Sequence, residues 1–397
     1  MRTFTTPVVL AVLGLAAIAR GAETPVVRPD KDTLVYVGTY TDKRSKGIYA
    51  FRLETQNDEV SQNILLVPLG VAAETPNPSF LHVDARRRLV FAVNEIDEFE
   101  GRPGGAVSAF AIEPATGWLR LLNQRPSGGT GPCHLVLDPS GRNLLVANYG
   151  SGSVSVVRVG ADGRLGDTTA SIQHHGHSVN PQRQQGPHAH GVTLDPANKF
   201  AFVCDLGLDQ VLAYRFDADR GTLTPAEPAA IAIKPGSGPR HLVFRPDGRF
   251  AYVISEMSST VTTFAYDAST GRLREIETVS TLPPYFDGAN SGAEIALVPS
   301  GKFLFVSNRG QNSVVLFAVD REKGTLEYIE DQGTGGKKPR QFAIQPSARH
   351  LVVVNQDSDT VLACRIDPDN GRLKPSGIFA DVPSPACAVF LPPAAQR

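Results

Sequence analysis

The sequence predicts an all-β fold: a seven-bladed β-propeller closed by N- and C-terminal strands that share one blade. Three observations predict it. A four-strand pattern recurs about every 50 residues, the spacing of propeller blades. The 397 residues include 37 glycines and 30 prolines, a surplus of turn formers that suits many short strands. The first and last copies of the pattern are incomplete, and each supplies what the other lacks.

The repeat is clearest when GPCHLVLDPSGRNLLVANYGSGSVSVVRV (131–159) is set against GPRHLVFRPDGRFAYVISEMSSTVTTFAYD (238–267). In each, an apolar strand ends near Pro or Asp, and a tight turn follows. A second apolar strand ends in Asn, Asp or Ser, and a third alternates. Stretches such as GRLREIETV (271–279) add a fourth. First strands are expected at 78–83, 133–138, 190–195, 240–245, 293–298, 340–345 and 386–391. The chain leaves the last copy after this strand. It opens with LVYVGTY (34–40) and GIYAFRL (47–53), which read as a second and a third strand. Pairing 386–391 beside 34–40 closes the ring and leaves no free edge there. The expected domain is therefore a single propeller over 34–392.

Residues 1–22 stand apart. Arg2 precedes the apolar run Val8 to Ile18, and Ala17-Ile18-Ala19 or Ala22 offers a small-residue cleavage site. This is the pattern of a secretory signal peptide, so a periplasmic or secreted protein is expected. The run is too short to span a bilayer, and no other stretch is long enough, so no membrane association is expected after its removal. A formal net charge of −1 excludes a bulk nucleic-acid binder. Four cysteines in so long a chain do not make a disulfide framework.

The repeat also locates a site. First strands of propeller blades line the central channel, and second strands run antiparallel to them. The start of one then lies beside the end of the other, at one rim. Strand-one starts give Pro78/Ser79, Cys133/His134, His190/Gly191, Arg240/His241, Ala293/Glu294, Arg340/Gln341 and Ala386/Cys387. Strand-two ends give Gly38/Thr39, Asn94/Glu95, Asn148/Tyr149, Asp205/Leu206, Ser255/Glu256, Asn308/Arg309 and Asn355/Gln356. The connections 98–105, 174–191 and 283–294 fall on the same face, where binding usually sits. Arg240, Arg309 and Arg340 are permanent cations suited to a carboxylate or phosphate, so a small anionic substrate is expected. Glu256 has the position of a base or of a neutralising partner, and His190 can move a proton near neutral pH. His134 and His241, next along their strands, are expected against the channel wall or between blades. The competing reading is a solvated channel mouth held by salt bridges. The HHGH and HAH runs lack a carboxylate partner at ligand spacing, so no metal or other cofactor is expected. Cys133, Cys204, Cys364 and Cys387 read as buried free thiols.

The segments VYVGTYT (35–41), KGIYAFRL (46–53), NPSFLHVD (77–84), VNPQRQQGPHAHGV (179–192), DLGLDQVLAYRFD (205–217) and GPRHLVFRPDG (238–248) carry a resemblance. They resemble the lactonase family with a seven-bladed propeller. That family includes propeller-type 6-phosphogluconolactonases and carboxymuconate lactonising enzymes. The resemblance implies a metal-independent lactone hydrolase. Residue by residue it implies His190, Arg240, Glu256 and Arg309 as the catalytic set. His134, His188, His241, Glu294 and Arg340 complete the candidate substrate-binding set. A phosphorylated sugar lactone is a cytosolic metabolite, whereas this chain carries an export pattern. The expected substrate is therefore the wider class, a small anionic lactone or sugar acid. The alternatives are a cycloisomerase acting on a carboxymuconolactone-type compound, and a non-catalytic propeller that binds a ligand or a protein partner.

Overall fold

The computed structural model describes residues 27–28, 31–41, 44–57 and 62–394. The expected signal segment 1–22 lies outside them. Seven four-stranded antiparallel sheets form a ring. The first blade joins Thr33–Thr39, Gly47–Asn57 and Gln62–Glu74 to the C-terminal strand Pro385–Leu391. Leu34 pairs with Leu391 and Tyr36 with Val389, so the shared blade is as the truncated repeats require.

The innermost strands follow one another around the channel. They are Leu81–Asp84, Pro132–Leu137, Ala189–Leu194, Pro239–Phe244, Gly292–Leu297, Pro339–Ile344 and Pro385–Leu391, and the last packs back on the first. Second strands are buried almost throughout, with Asn143–Asn148 and Phe250–Ser255 buried at every residue. Blades cover them on both sides, which is why they read as unbroken apolar runs rather than alternating ones. The core lies between blades. Phe91, Leu135 and Val146 pack together between the second and third. Phe202, Val253 and Phe264 do so between the fourth and fifth.

The Asp-Pro of the repeat has a structural reason. Asp138 Oδ1 accepts the N–H groups of Arg142 at 2.9 Å and Asn143 at 2.8 Å. Asp195 Oδ1 does the same for Lys199 and Phe200 at 2.7 Å. A short acceptor side chain thus holds the turn from first to second strand. The second blade departs from expectation, because its inner strand starts at Leu81 rather than at 78. Ser79 donates its N–H back to the Asn77 carbonyl at 2.8 Å, a local turn that removes it from the ladder.

Candidate functional site

The rim is built by two devices that repeat from blade to blade. The first is a β-bulge at the start of the inner strand. In the fifth blade Pro239 pairs with Ser255 and His241 with Ile254, leaving Arg240 as the extra residue. The same skip leaves Cys133, His190 and Arg340 unpaired in their own strands. An extra residue breaks the strict in/out alternation of a strand and re-aims side chains. Arg240 and His241, consecutive in sequence, therefore both face the channel. The expectation that His134 and His241 sit against the wall or between blades is corrected: the His241 ring lies 5.2 Å from His190 and 4.8 Å from His134.

The second device is a backbone bond made by the residue after each second strand. Glu95, Tyr149, Leu206, Glu256, Arg309 and Gln356 each donate their N–H to a carbonyl just ahead of the inner strand of the same blade. Tyr40 makes the equivalent bond to Ser384 at 3.0 Å. Tyr40, not Gly38 or Thr39, is thus the first blade's rim residue. In four blades the residue before the rim residue is an asparagine that anchors an outer connection. Asn94 bonds Pro76, Asn148 bonds Ser127, Asn308 bonds Thr281 and Asn355 bonds Thr334. Asp205 has this anchoring part too. Its Oδ1 accepts the backbone N–H groups of His188, Gly207 and Leu208, and its Oδ2 meets His174 Nδ1 at 2.7 Å.

His190, Arg240, Glu256 and Arg309 converge, with Glu256 at the centre. Its Oε2 lies 2.8 Å from Arg309 Nη2, 3.4 Å from Arg240 Nε and 3.7 Å from His190 Nε2. Its Oε1 meets Arg183 Nη2 at 2.8 Å. All but Arg183 are buried. Burial alone would raise the Glu256 pKa, but the Arg309, Arg240 and Arg183 cations outweigh it and hold the carboxyl down to about 2. His190 goes the other way. Burial first, then the Arg240 charge, pushes its pKa well below the usual histidine value, so it is neutral at pH 7. Burial and the neighbouring Arg309 and Arg340 charges lower Arg240 to about 10, so it stays a cation at pH 7. Backbone carbonyls aim both inner arginines: Arg240 Nη1 donates to Ala293 O at 2.6 Å and Arg309 Nη2 to Gly292 O at 3.0 Å. Their Nε–H groups are buried and lack a hydrogen-bond partner among the described residues. Orphaned buried donors are costly, and here both belong to the arginines that meet Glu256 Oε2.

The remaining candidates are spread around this centre. Arg340 lies across the rim, where Nη2 donates to Tyr40 Oη at 2.7 Å and Tyr40 donates to Glu95 Oε2 at 2.8 Å. Ser79 also donates to that oxygen. His188 stacks on Tyr149 at 4.5 Å. His134, His241 and Glu294 form a layer one step deeper, with His241 Nδ1 3.0 Å from Glu294 Oε1. A channel cavity of about 440 Å³ opens beside these three and beneath the rim. A groove of about 970 Å³ beside Thr33, Phe303 and His350 lies at the opposite end, where second strands begin. The histidine runs are dispersed. His174 holds Asp205 and accepts from or donates to Tyr214 Oη at 3.1 Å, His175 and His177 are exposed, and among the described residues no group of His, Cys, Asp and Glu is arranged to hold a metal. All four cysteines are free and buried. Burial raises the Cys133 thiol far above its usual pKa. It is thus a poor thiolate, although its bulge brings Sγ to 3.8 Å from His190 Nδ1.

Arg183 and Tyr40 were not among the sequence candidates. Arg183 sits in a long connection, outside the repeat, where no periodicity marks it. Its signal was only that the connection 174–191 falls on the rim face.

Fold and site together define a closed seven-bladed β-propeller with three arginines gathered around the buried Glu256 carboxylate at one rim of its channel. The family described as "Lactonase, 7-bladed beta-propeller" matches residues 34–390, and the chain belongs to it. It is 33% identical over 356 residues to the 6-phosphogluconolactonase of Bacillus subtilis, an alignment covering 90% of this chain and 97% of that one. It is likewise 33% identical to the 6-phosphogluconolactonase of Formosa agariphila over 77% of this chain and 84% of that one. The structure of a periplasmic gluconolactonase of Pseudomonas aeruginosa superposes with a TM-score of 0.84 at 36% identity, covering 92% of this chain and 100% of that one. Among the described residues no helix is long and apolar enough to cross a membrane.

Proposed function

We propose that the chain hydrolyses a small anionic lactone at the Glu256 end of its channel. The observation that carries this reading is the charge arrangement. Three guanidinium groups surround a single carboxylate, and two of them keep a buried Nε–H that makes no hydrogen bond among the described residues. Such a site has an excess of positive charge for an anion, and ready donors for an oxyanion. The named relatives support the lactone class.

The proposed roles follow from protonation. Glu256, held near 2, is a weak base and carries no proton to donate at neutral pH. His190 is neutral at pH 7, with a ring nitrogen 3.7 Å from Glu256 Oε2, and is assigned the role of proton acceptor. In the first step water attacks the lactone carbonyl carbon and gives a proton to His190. The carbonyl π electrons move onto oxygen, which Arg240 and Arg309 stabilise. The imidazolium then faces the Glu256 carboxylate, which offsets its charge. In the second step the oxyanion collapses, the ring C–O bond breaks, and His190 returns the proton to the departing ring oxygen. The product is the open-chain hydroxy acid. His241, Glu294 and His134 support His190 and Arg240 from below. His188 and Arg340 bound the mouth.

Export belongs to the same proposal. The segment 1–22 has a signal pattern, and a periplasmic protein stands among the structural relatives. The test is a hydrolysis assay of the processed protein on a panel of sugar lactones, with and without phosphate. Full activity retained by both His190→Asn and Glu256→Gln would leave the rim as a binding mouth and sink the catalytic reading.

A further inference from the structure

The lactone of a sugar acid has no free carboxylate, because that group is the one being hydrolysed. Any negative charge it carries must sit on a substituent away from the carbonyl. A site for such a substrate therefore needs two separate cationic elements, one at the reacting oxygen and one further out. The two oxygens of Glu256 divide the arginines in this way. Arg240 and Arg309 share the buried Oε2 with His190. Arg183 alone takes Oε1, and it reaches in from the connection between the third and fourth blades.

That connection is firmly held although it is a loop. Ser178 Oγ donates to Asp209 Oδ2 at 2.6 Å. Buried Gln184 donates from Nε2 to Leu206 O at 2.9 Å and accepts the Asn180 N–H on Oε1 at 3.0 Å. Asn180 Oδ1 in turn accepts the N–H groups of Gln182 and Arg183 at 2.9 and 3.0 Å. The backbone under Arg183 is thus fixed, while its side chain is 45% exposed. Only Nη2 is engaged, on Glu256 Oε1 and on Tyr149 Oη at 3.2 Å. The other guanidinium N–H groups make no hydrogen bond with the described residues. A planar fork with free N–H groups, presented from a rigid base at the mouth, suits a doubly or triply coordinating anion.

We propose, building on the lactone-hydrolase reading, that Arg183 is the specificity residue that binds an anionic substituent, a phosphate monoester above all, at the end of the lactone remote from its carbonyl. In the free protein Glu256 occupies part of that guanidinium. A substrate phosphate takes the N–H groups that face the mouth. Lactones of the same ring without the phosphate bind through Arg240 and Arg309 alone.

The test compares Arg183→Leu and Arg183→Lys with the unmodified protein on a six-carbon sugar lactone, with and without a terminal phosphate. The expected result for Arg183→Leu is a fall in kcat/KM of about 100-fold on the phosphorylated lactone, mostly in KM, against less than about 10-fold on the unphosphorylated one. Arg183→Lys keeps the charge without the fork and should recover part of the difference. Equal losses on the two substrates, or no loss on either, overturn the proposal: Arg183 would then act only through Glu256 or not at all. Calorimetry with the phosphorylated and unphosphorylated open-chain acids supplies a readout without turnover. Weaker binding of only the phosphorylated acid by Arg183→Leu supports the proposal even if no lactone is hydrolysed, an outcome that would overturn the lactonase reading instead. A phosphorylated acid that binds no more weakly to Arg183→Leu than to the unmodified protein counts against Arg183 and leaves hydrolysis to be judged by the assay.

Discussion

Glu256 and Glu294 are equally buried carboxyl groups on neighbouring blades, yet their surroundings oppose each other. Glu256 lies among Arg183, Arg240 and Arg309, and those charges overcome burial. Glu294, one layer deeper, meets His241 and the Ile295 N–H. Burial dominates there and raises its pKa, with Arg240 only partly offsetting it. His241 shifts in the sense that favours its neutral form, for burial and the Arg240 charge push it well below the usual value. Burial alone therefore says nothing about charge. The rim layer is ionic and the layer below it tends to neutrality, with Arg240 shared between them through Glu256 and through His241 Nδ1 at 3.3 Å.

The largest expected effect breaks the rim layer. Glu256→Gln leaves three arginines without their counter-charge. Turnover should fall by roughly 10²–10⁴-fold, and urea unfolding should show a loss of about 3 kcal/mol. His190→Asn should cost activity on a similar scale of about 10²-fold or more while leaving the unfolding midpoint close to the parent value. Loss of both activity and midpoint in His190→Asn would make it a structural residue.

Acid should separate the two layers next. Glu256 has a folded pKa near 2 against an ordinary value of 4.5. Between those values the unfolded chain binds the extra proton. Its stabilising contribution is thus full above pH 4.5 and disappears as pH falls toward 2, by an amount on the order of 3 kcal/mol. Glu294 has the opposite sign. Its raised pKa means that the folded state holds the extra proton as pH rises above 4.5, so its contribution declines with rising pH. Stability measured against pH should accordingly be less steep below pH 4.5 in Glu256→Gln. In Glu294→Gln it should be flatter above pH 4.5, with a midpoint at pH 7 equal to or above that of the parent. A destabilised Glu294→Gln at pH 7 would show that Glu294 is ionised and paired.

The smallest effect concerns the thiols. Cys133, beside His190, keeps its proton because burial raises its pKa. Iodoacetamide at pH 8 should leave the four cysteines unmodified over hours in the folded protein and label all of them in urea. Rapid labelling of Cys133 with loss of activity would place a reactive thiolate in the site.

Much of the rim was legible because the repeat carries it. Strand periodicity set His190 and Arg240 at equivalent positions in adjacent blades, and Glu256 and Arg309 one step past equivalent second strands. What the pattern did not carry was the bulge. A strict alternation sends Arg240 and His241 to opposite faces, and only the extra residue opposite Ser255 and Ile254 brings both into the channel. Tyr40 was missed by one position, since the end of Thr33–Thr39 has no Asn or Asp to mark it. Arg183 depended on a loop whose shape comes from side-chain bonds among Asn180, Gln184, Asp205 and Asp209, which no spacing rule encodes. The charge states of Glu256 and Glu294 needed the neighbours from other blades, brought together only by closure of the ring.

That closure also imposes an order in time. The strand Thr33–Thr39 is made long before its inner neighbour Pro385–Leu391, with six other blades between them in the chain. Until Pro385–Leu391 emerges, the first blade has an unpaired inner edge, and every later blade stacks onto a ring that is still open. Contacts of such separation form slowly, and an open strand edge invites pairing with other chains. The growing chain is therefore most vulnerable when six blades are complete and the strand Pro385–Leu391 is not yet made. A chaperone, or passage across a membrane before folding, would act with greatest effect in that interval.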